Sequence, residues 1–191
     1  YQLASLAISP DGQFLAVAED TQGDERFQVH YRKLEDDNWS FLIGGTSGSL
    51  IWDKGSTGLF WVELSEQHRP HKVHFTPHTT PDTSALIYEE KDDSFFVGIS
   101  RTQSREYLII NAGDHVTSEA RLLHLKDPKG PLVLVEARKT GHEYDVDHGQ
   151  DLLFIRTNDT HENFRIVKAD PSRPEQEHWE EVIAPSSTQY I

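Results

Sequence analysis

The sequence predicts an all-β protein with the repeating architecture of a β-propeller. The second strands of the repeat begin at four regularly spaced residues, Phe14, Leu59, Tyr107 and Leu152. Their intervals are 45, 48 and 45 residues, and repeats of about 40–50 residues with four short strands each are typical of propeller blades. No stretch combines helical periodicity with helix caps. We therefore expect about four blades of four antiparallel strands.

Turn residues and strand patterns justify each element of the repeat. A turn precedes every second strand, at Ser9-Pro10-Asp11-Gly12, Asp53-Lys54-Gly55-Ser56, Arg101-Thr102-Gln103-Ser104 and His148-Gly149-Gln150-Asp151. First strands are expected at 6–8, 50–52, 95–99 and 144–146, and short apolar runs typical of buried middle strands follow at 14–18, 59–62, 107–110 and 152–155. Third strands, which alternate polar and apolar residues most clearly in the first two repeats, are expected at 27–31, 72–75, 121–124 and 164–166. Closing strands at 41–43, 86–88, 132–135 and 181–183 complete four blades at approximately 1–46, 47–92, 93–140 and 141–191.

Composition argues against several classes of partner. With 32 acidic and 18 basic residues, the chain carries a net charge of −14, which repels nucleic-acid phosphates and anionic membrane surfaces. No apolar run approaches the roughly 20 residues that a membrane-spanning helix requires. The sequence has no cysteine and so forms no disulfide. We expect neither nucleic acid nor membrane among the partners.

The ends of the sequence lie close to the ends of the repeat. The chain starts at Tyr1 rather than at an initiator methionine, a few residues before the first strand, and stops at Ile191 shortly after the last one. Isolated units of a repeat array leave open edges and unburied faces. We therefore expect residues 1–191 to form one partial propeller domain that belongs to a longer array.

The sequence contains no motif for a catalytic nucleophile. The nearest approach to a Gly-x-Ser-x-Gly elbow is Gly44-Gly45-Thr46-Ser47-Gly48, which centres on threonine and has no helix after it. We interpret it as a loop between blades. The acidic runs Asp36-Asp37 and Glu89-Glu90-Lys91-Asp92-Asp93 fall between predicted strands, where charge runs are usually solvated. We assign no catalytic residue to the chain and expect it to be inactive by itself.

Histidines offer the best candidates for a metal site. Four of them fall within eleven residues, at His68, His71, His74 and His78. His74 shares a predicted strand face with Lys72, a cation unsuited to a metal's coordination sphere, and no cysteine or nearby carboxylate completes a tetrahedral set. We predict surface loop histidines at the other three positions, with no metal ligand and no cofactor-binding residue. Packing between blades is expected of the four tryptophans, Trp39, Trp52, Trp61 and Trp179.

Several segments resemble the β-propeller domain of the prolyl oligopeptidase family of serine peptidases (peptidase family S9), in its oligopeptidase B branch. The most specific are Tyr88-Glu89-Glu90-Lys91-Asp92, within residues 86–100, and Arg156-Thr157-Asn158, within residues 142–159. The other segments, in the family's order, are residues 4–20, 117–121, 163–165 and 179–181. The resemblance covers essentially the whole chain.

The resemblance implies a seven-bladed propeller that covers an α/β-hydrolase domain, with about four interior blades supplied by this chain. It implies cleavage of short peptides after Arg or Lys, with the propeller restricting entry so that folded proteins do not reach the catalytic triad. The Ser, Asp and His of that triad belong to the family's hydrolase domain, which is not in this chain. The implied partners are the hydrolase domain of the same parent chain and short basic peptides. We expect the protein in the cytoplasm, with the periplasm as the alternative.

Two stretches depart from the family's pattern. Relatives often carry paired arginines where this chain has Asp24-Glu25-Arg26, and Glu-Asn where it has Gly44-Gly45. The resemblance implies that those polar groups help to latch the propeller to the hydrolase domain. We expect a different latch in this chain.

Two other classes of function stay open from the residues alone. A free-standing propeller would be a scaffold that binds peptides or proteins through its loops. A propeller glycosidase would place paired carboxylates on first strands, and Asp145 and Asp147 are the nearest candidates, although the other blades have no equivalent pair. An acidic propeller attracts cationic substrates, but soluble proteins also carry net charge for solubility alone.

Structural roles are predicted for three polar residues of the fourth repeat, Arg156, Asn158 and Arg165. Asn158 can stabilise a turn through its side chain, and Arg165 is placed to reach hairpin carbonyls or a carboxylate. Contact with substrate is the alternative for all three.

Overall fold

The computed structural model describes all 191 residues and is all-β, as the sequence predicts. Its fifteen strands are β1 (Gln2–Ile8), β2 (Phe14–Asp20), β3 (Phe27–Lys33), β4 (Ser40–Trp52), β5 (Gly58–Leu64), β6 (Pro70–Pro77), β7 (Ala85–Glu89), β8 (Phe96–Arg101), β9 (Tyr107–Gly113), β10 (Ser118–His124), β11 (Val133–Glu136), β12 (Tyr144–Gly149), β13 (Leu152–Thr157), β14 (Arg165–Ala169) and β15 (Glu180–Ile183). The only helical elements are two 3₁₀ turns, Pro81–Thr83 and Gln176–His178. Neither turn has the length or the hydrophobicity of a transmembrane helix.

The strands form three antiparallel sheets. Strands β1 to β7 form one seven-stranded sheet, β8 to β11 form a second sheet and β12 to β15 form a third. Consecutive strands are neighbours within every sheet, which is the meander arrangement of propeller blades. The propeller fold predicted from the strand repeat is confirmed.

The structure corrects the prediction for the join between the first two repeats. The closing strand expected at 41–43 and the first strand expected at 50–52 are parts of one 13-residue strand, β4. Residues 44–48 are therefore not a loop between strands. They carry β4 from pairing with β3 to pairing with β5, and register shifts mark the passage. Gly45 and Gly48 have φ values of 75° and 91°, a conformation that glycine adopts without a Cβ clash.

The structure also shifts the second repeat by one residue. The backbone N–H of Ser9 donates to Phe14 O, and that of Thr102 donates to Tyr107 O. The equivalent bond in the second repeat runs from Asp53 N–H to Gly58 O. The residue equivalent to Phe14 is therefore Gly58 and not Leu59, because apolarity alone does not show where a strand begins.

The chain divides into two compact units, residues 1–99 with 124–130 and residues 100–123 with 131–191. The core of the first unit combines two groups of buried side chains, Ala16, Ala18, Val29 and Leu42 from β2 to β4 with Leu50, Trp52, Leu59 and Trp61 from β4 and β5. The core of the second unit is built in the same way, from Ile109, Ala120, Leu122 and Val135 with Tyr144, Val146, Leu153 and Ile155. The buried side chains of each core come from two successive repeats, as in stacked propeller blades.

Three of the four tryptophans pack as predicted. Trp52 and Trp61 are buried in the first core, and Trp179 packs against the second. The prediction is wrong for Trp39, which is 46% exposed and lies with its ring centroid 5.3 Å from the guanidinium carbon of Arg32. Trp39 lies outside the strands, where no second layer of strands covers it.

Candidate functional site

The two stretches that depart from the family's pattern meet in one hollow of the first unit. The hollow has a volume of about 200 Å³ and is lined by Asp20, Thr21, Gln22, Asp24, Arg26, Gln28, Gly44 and Gly45. The β2–β3 loop supplies one wall and strand β4 supplies another. An added Cβ at Gly45 would meet no atom within 4 Å, so the space above this glycine is open.

Asp20 shapes the β2–β3 loop from inside. Its carboxylate is 2% exposed and accepts backbone hydrogen bonds from Gln22, Gly23 and Glu25 at 2.8, 2.7 and 2.9 Å. The bond from Gly23 contributes most to lowering the pKa of Asp20. The residue therefore holds the loop in place and directs its charge at the backbone.

Arg26 clamps this loop to the next hairpin. Its Nη2 donates to the backbone oxygens of Ser65 and Glu66 at 2.9 and 3.2 Å, and its Nε donates to His68 Nε2 at 3.2 Å. Nε and Nη2 of the guanidinium are therefore occupied by bonds within the chain. The exposed carboxylate of Asp24 is left at the hollow, which suits a cationic group on a partner.

The acidic loop at residues 89–93 combines exposed charge with local structure. Glu90 accepts hydrogen bonds from Tyr88 Oη at 2.7 Å and from the backbone of Asp92 at 3.0 Å. Glu89 lies 3.8 Å from the ammonium group of Lys72, and Asp93 is exposed. Substitutions at Glu89 and Asp93 therefore change charge with less disturbance of the turn than substitutions at Glu90.

The four clustered histidines lie in different environments. His68 is an exposed loop residue and His74 a strand residue, as predicted. The loop prediction is wrong for His71, because β6 already begins at Pro70, and it is wrong for His78, which is buried. The expectation that no carboxylate lies near is wrong for His74, whose Nε2 lies 2.6 Å from Glu63 Oε2, because the pairing of β5 with β6 brings the two side chains together. No group of three or more His, Cys, Asp or Glu side chains is arranged to hold a metal ion.

His78 corrects the prediction of a surface histidine. It is 8% exposed, and its ring lies among Phe14, Tyr31 and Trp52 at centroid distances of 4.5, 5.5 and 5.7 Å. Its Nδ1 lies 2.9 Å from Thr57 O. His78 follows a strand in the sequence, but its side chain packs in the core, where it contacts aromatic rings and one carbonyl oxygen.

The two aspartates considered for glycosidase chemistry both have protein partners. Asp145 Oδ2 lies 3.2 Å from Arg156 Nη1. Asp147 Oδ1 accepts backbone hydrogen bonds from Gln103 at 2.9 Å and from His148 at 2.7 Å. Asp147 therefore ties the turn after β8 to β12, which is a structural use of its charge.

The polar residues of the fourth repeat make the contacts expected of structural residues. Arg165 forms a two-pronged bond to Asp159, at 2.9 and 2.7 Å, and a further bond to Glu181 at 3.3 Å. Asn158 accepts the backbone N–H of Glu143 at 2.8 Å and donates to Gly141 O at 3.0 Å. The carboxylate partner predicted for Arg165 is confirmed.

Replacing Asn158 by Ala should lower the free energy of unfolding by about 1–3 kcal/mol, since it leaves the partly buried N–H of Glu143 without its partner. In a domain of this size that loss corresponds to roughly 2–4 °C in Tm per kcal/mol. Thermal unfolding of the variant measures the effect. The matched control is Asn111→Ala, at an exposed position of β9, and equal Tm values for the two variants would contradict the prediction.

Sequence reasoning missed an ion-pair cluster around Glu119. This glutamate in β10 is 6% exposed, bonds to Arg121 and accepts from Arg138 at 2.9 Å through Nη2 and at 3.1 Å through the backbone N–H. Burial alone would raise the pKa of Glu119, but the bonds from Arg138 and then Arg121 outweigh it and lower the pKa to about 2. No alternation in the sequence could have found it, because Glu119 lies before the strand expected at 121–124 and burial along β10 does not alternate.

Comparison with known proteins agrees with this geometry. The family model of the prolyl oligopeptidase N-terminal beta-propeller domain matches residues 1–191. Dipeptidyl aminopeptidase BI from Pseudoxanthomonas mexicana is 30% identical over 194 residues, which cover 96% of this chain and 26% of that protein. Protease 2 from Moraxella lacunata is 29% identical over 168 residues, covering 84% of this chain and 24% of that protein.

Solved structures show the same fold. Oligopeptidase B from Trypanosoma brucei, in a closed form with covalently bound antipain, superposes with a TM-score of 0.85 at 28% identity, over 97% of this chain and 26% of that one. Oligopeptidase B from Leishmania major superposes with a TM-score of 0.84 at 24% identity, over 96% of this chain and 27% of that one. The chain spans about a quarter of the length of these relatives. It belongs to the family of prolyl oligopeptidase N-terminal β-propeller domains.

Proposed function

We propose that this chain is the non-catalytic, substrate-gating part of a cytoplasmic serine endopeptidase of the oligopeptidase B type, which cleaves short peptides after Arg or Lys. Family membership over residues 1–191, with the similarity to oligopeptidase B from Trypanosoma brucei, carries the proposal. The proposed partners are an α/β-hydrolase domain of the same parent chain and short basic peptides, with no nucleic acid and no membrane. The catalytic groups belong to the hydrolase domain.

Charge supports the substrate class. The chain has a net charge of −14, and exposed carboxylates such as Asp24 and Asp93 lie in its loops. Acidic surface loops raise the local concentration of cationic peptides and speed their association. Arg26, a cation beside the hollow, is committed to backbone oxygens of the chain.

A peptide panel tests the proposal. The chain joined to its hydrolase domain should cleave short reporters after Arg or Lys, leave matched reporters with a neutral residue intact, and leave a folded basic protein intact. Preference for a neutral residue, or equal cleavage of the folded protein, would contradict the specificity or the gating.

The similarity to dipeptidyl aminopeptidase BI supplies a second candidate, release of dipeptides from peptide amino termini. One substrate pair separates the two candidates. An endopeptidase cleaves an Arg-containing peptide whether its amino terminus is free or acetylated, whereas a dipeptidyl peptidase requires the free amino group. Loss of cleavage on acetylation would favour the second candidate.

Salt should slow capture of dibasic peptides more than capture of monobasic peptides. Attraction by the acidic propeller is screened as the Debye length falls from about 10 Å at 0.1 M salt to about 3 Å at 1 M. Because steering acts on association, kcat/KM should fall while kcat stays nearly constant. The measurement is kcat/KM against ionic strength for a matched monobasic and dibasic pair, and equal salt slopes would reject steering.

A charge-matched pair of double variants tests how much the 89–93 loop contributes to the electrostatic steering of dibasic peptides. Glu89→Gln with Asp93→Asn removes two charges from that loop, and Asp36→Asn with Asp37→Asn removes two from another acidic run. If the 89–93 loop steers substrate, only the first double variant should flatten the salt slope of the dibasic peptide. Equal slopes in both variants would assign steering to the overall charge and not to this loop.

A further inference from the structure

A buried histidine, His142, lies in the segment that connects the third repeat to the fourth. The segment 137–143 leads from β11 to β12, and within it the backbone oxygen of His142 accepts the N–H of Ser118 in β10 at 2.9 Å. Gly141 N–H donates to Thr117 Oγ1 at 3.3 Å. The segment therefore connects β10 and β11 to the strand that follows it.

The His142 ring is satisfied on one side only. Its Nε2 lies 2.9 Å from Thr157 Oγ1, and its Nδ1 is buried with no hydrogen-bond partner. The residue is 7% exposed, with the rings of Tyr144 and Trp179 at centroid distances of 5.3 and 6.1 Å. A neutral imidazole carries one N–H group, which the Thr157 hydroxyl oxygen can accept, whereas an imidazolium carries two, and the second N–H has no acceptor here.

The charged groups around His142 are engaged with other residues. Glu136 of β11 accepts from Lys139 at 2.8 Å, and Asp159 after β13 is held by Arg165 at 2.7 Å. Of the titratable groups in β12, Tyr144 is the one whose ring contacts His142, and its hydroxyl bonds to backbone groups of Ala120 and Glu136. Burial lowers the pKa of His142 most, and Lys139 adds to it, against attraction by Asp159 and Glu136. The arrangement favours the neutral ring.

We propose that protonation of His142 loosens the packing of the third repeat against the fourth. A proton on Nδ1 releases the segment 137–143 from β10 and β13 and opens the seam, which is the contact between β10–β11 and β12–β13. A histidine whose pKa is lowered by folding binds its proton more tightly in the open state. Acid therefore favours opening as the pH falls below about 6.5, the ordinary value for histidine.

Hydrogen exchange at pH 7.5, 6.5 and 5.5, corrected for intrinsic rates, tests the proposal in the intact protein. The amide of Ser118 donates to the segment, that of Ala120 donates to Tyr144 Oη, and that of Gly141 lies within the segment and donates to Thr117. All three should exchange faster in acid, by up to about tenfold per pH unit, the limit for one proton. Amides of the β4–β5 pair in the first unit, whose strands contain no histidine, should show no such change. Absence of acceleration at the seam, or equal acceleration in β4 and β5, would overturn the proposal.

The variant His142→Gln keeps a polar group for Thr157 but cannot bind the proton, so its seam should lose the pH dependence. His115→Gln, at an exposed histidine in the same unit, should retain it. Persistence of the acid effect in His142→Gln would overturn the proposal.

An NMR titration of the His142 ring in the wild-type protein gives a readout independent of the variants. A titration midpoint below pH 6.5 is expected, and one at or above the ordinary value of about 6.5 contradicts the proposal.

Discussion

Replacing Gly58 by Ala should lower the free energy of unfolding by about 3 kcal/mol, at the upper end of the usual cost of forcing extra atoms into a packed site. An added Cβ would collide with the backbone oxygen of Thr76 and lie 2.8 Å from Pro77 Cα and 2.7 Å from Phe75 Cζ. Two of these atoms are backbone of β6, which is paired with β5 from Gly58 to Leu64. Relief of the clash would require the pair to separate.

Urea unfolding of Gly58→Ala measures the effect, with Gly98→Ala as the matched control. Gly98 also lies in a strand, β8, but an added Cβ there meets no atom within 4 Å. The control should stay within about 0.5 kcal/mol of wild type, because alanine also restricts the unfolded chain. Equal stability of the two variants would show that β6 yields to the extra carbon and would refute the prediction.

Replacing Glu119 by Gln should cost about 3 kcal/mol, the lower end of the range for breaking a buried ion pair from one side. The variant leaves Arg121 and Arg138 together without their shared carboxylate. The lower end applies because the two guanidinium side chains are 22% and 26% exposed, so water compensates part of the loss. The exposed Glu162→Gln, in the same unit, is the control.

The pH dependence of stability identifies the charge as the cause. Folding lowers the pKa of Glu119 from 4.5 to about 2. Its contribution is therefore present above about pH 4.5 and is lost as the pH falls towards 2, since the unfolded state binds the proton first. Urea unfolding at pH 7, 4.5 and 3 should show a smaller decline for Glu119→Gln than for wild type. The same decline in both proteins would mean that other carboxylates cause it.

Local signals were sufficient for the strands but not for their joins. Turn sequences such as Ser9-Pro10-Asp11-Gly12 and the apolar run at 59–62 located strands because both depend on neighbouring residues. The continuity of β4 through residues 44–48 escaped detection, since glycine marks loops as well as the bulges and bends of continuous strands. The burial of His78 escaped it as well, because a single histidine has no periodicity.

The sequence by itself determined the all-β class, the order of the strands, the net charge of −14 and the absence of a nucleophile elbow. These properties depend on composition or on residues a few positions apart. Only the tertiary structure decided that Arg26 is committed to Ser65, that Asp24 and Gly45 border one hollow, and that His142 is buried. Those facts arise where segments tens of residues apart in the chain pack together, and such contacts depend on register and twist that no local pattern specifies.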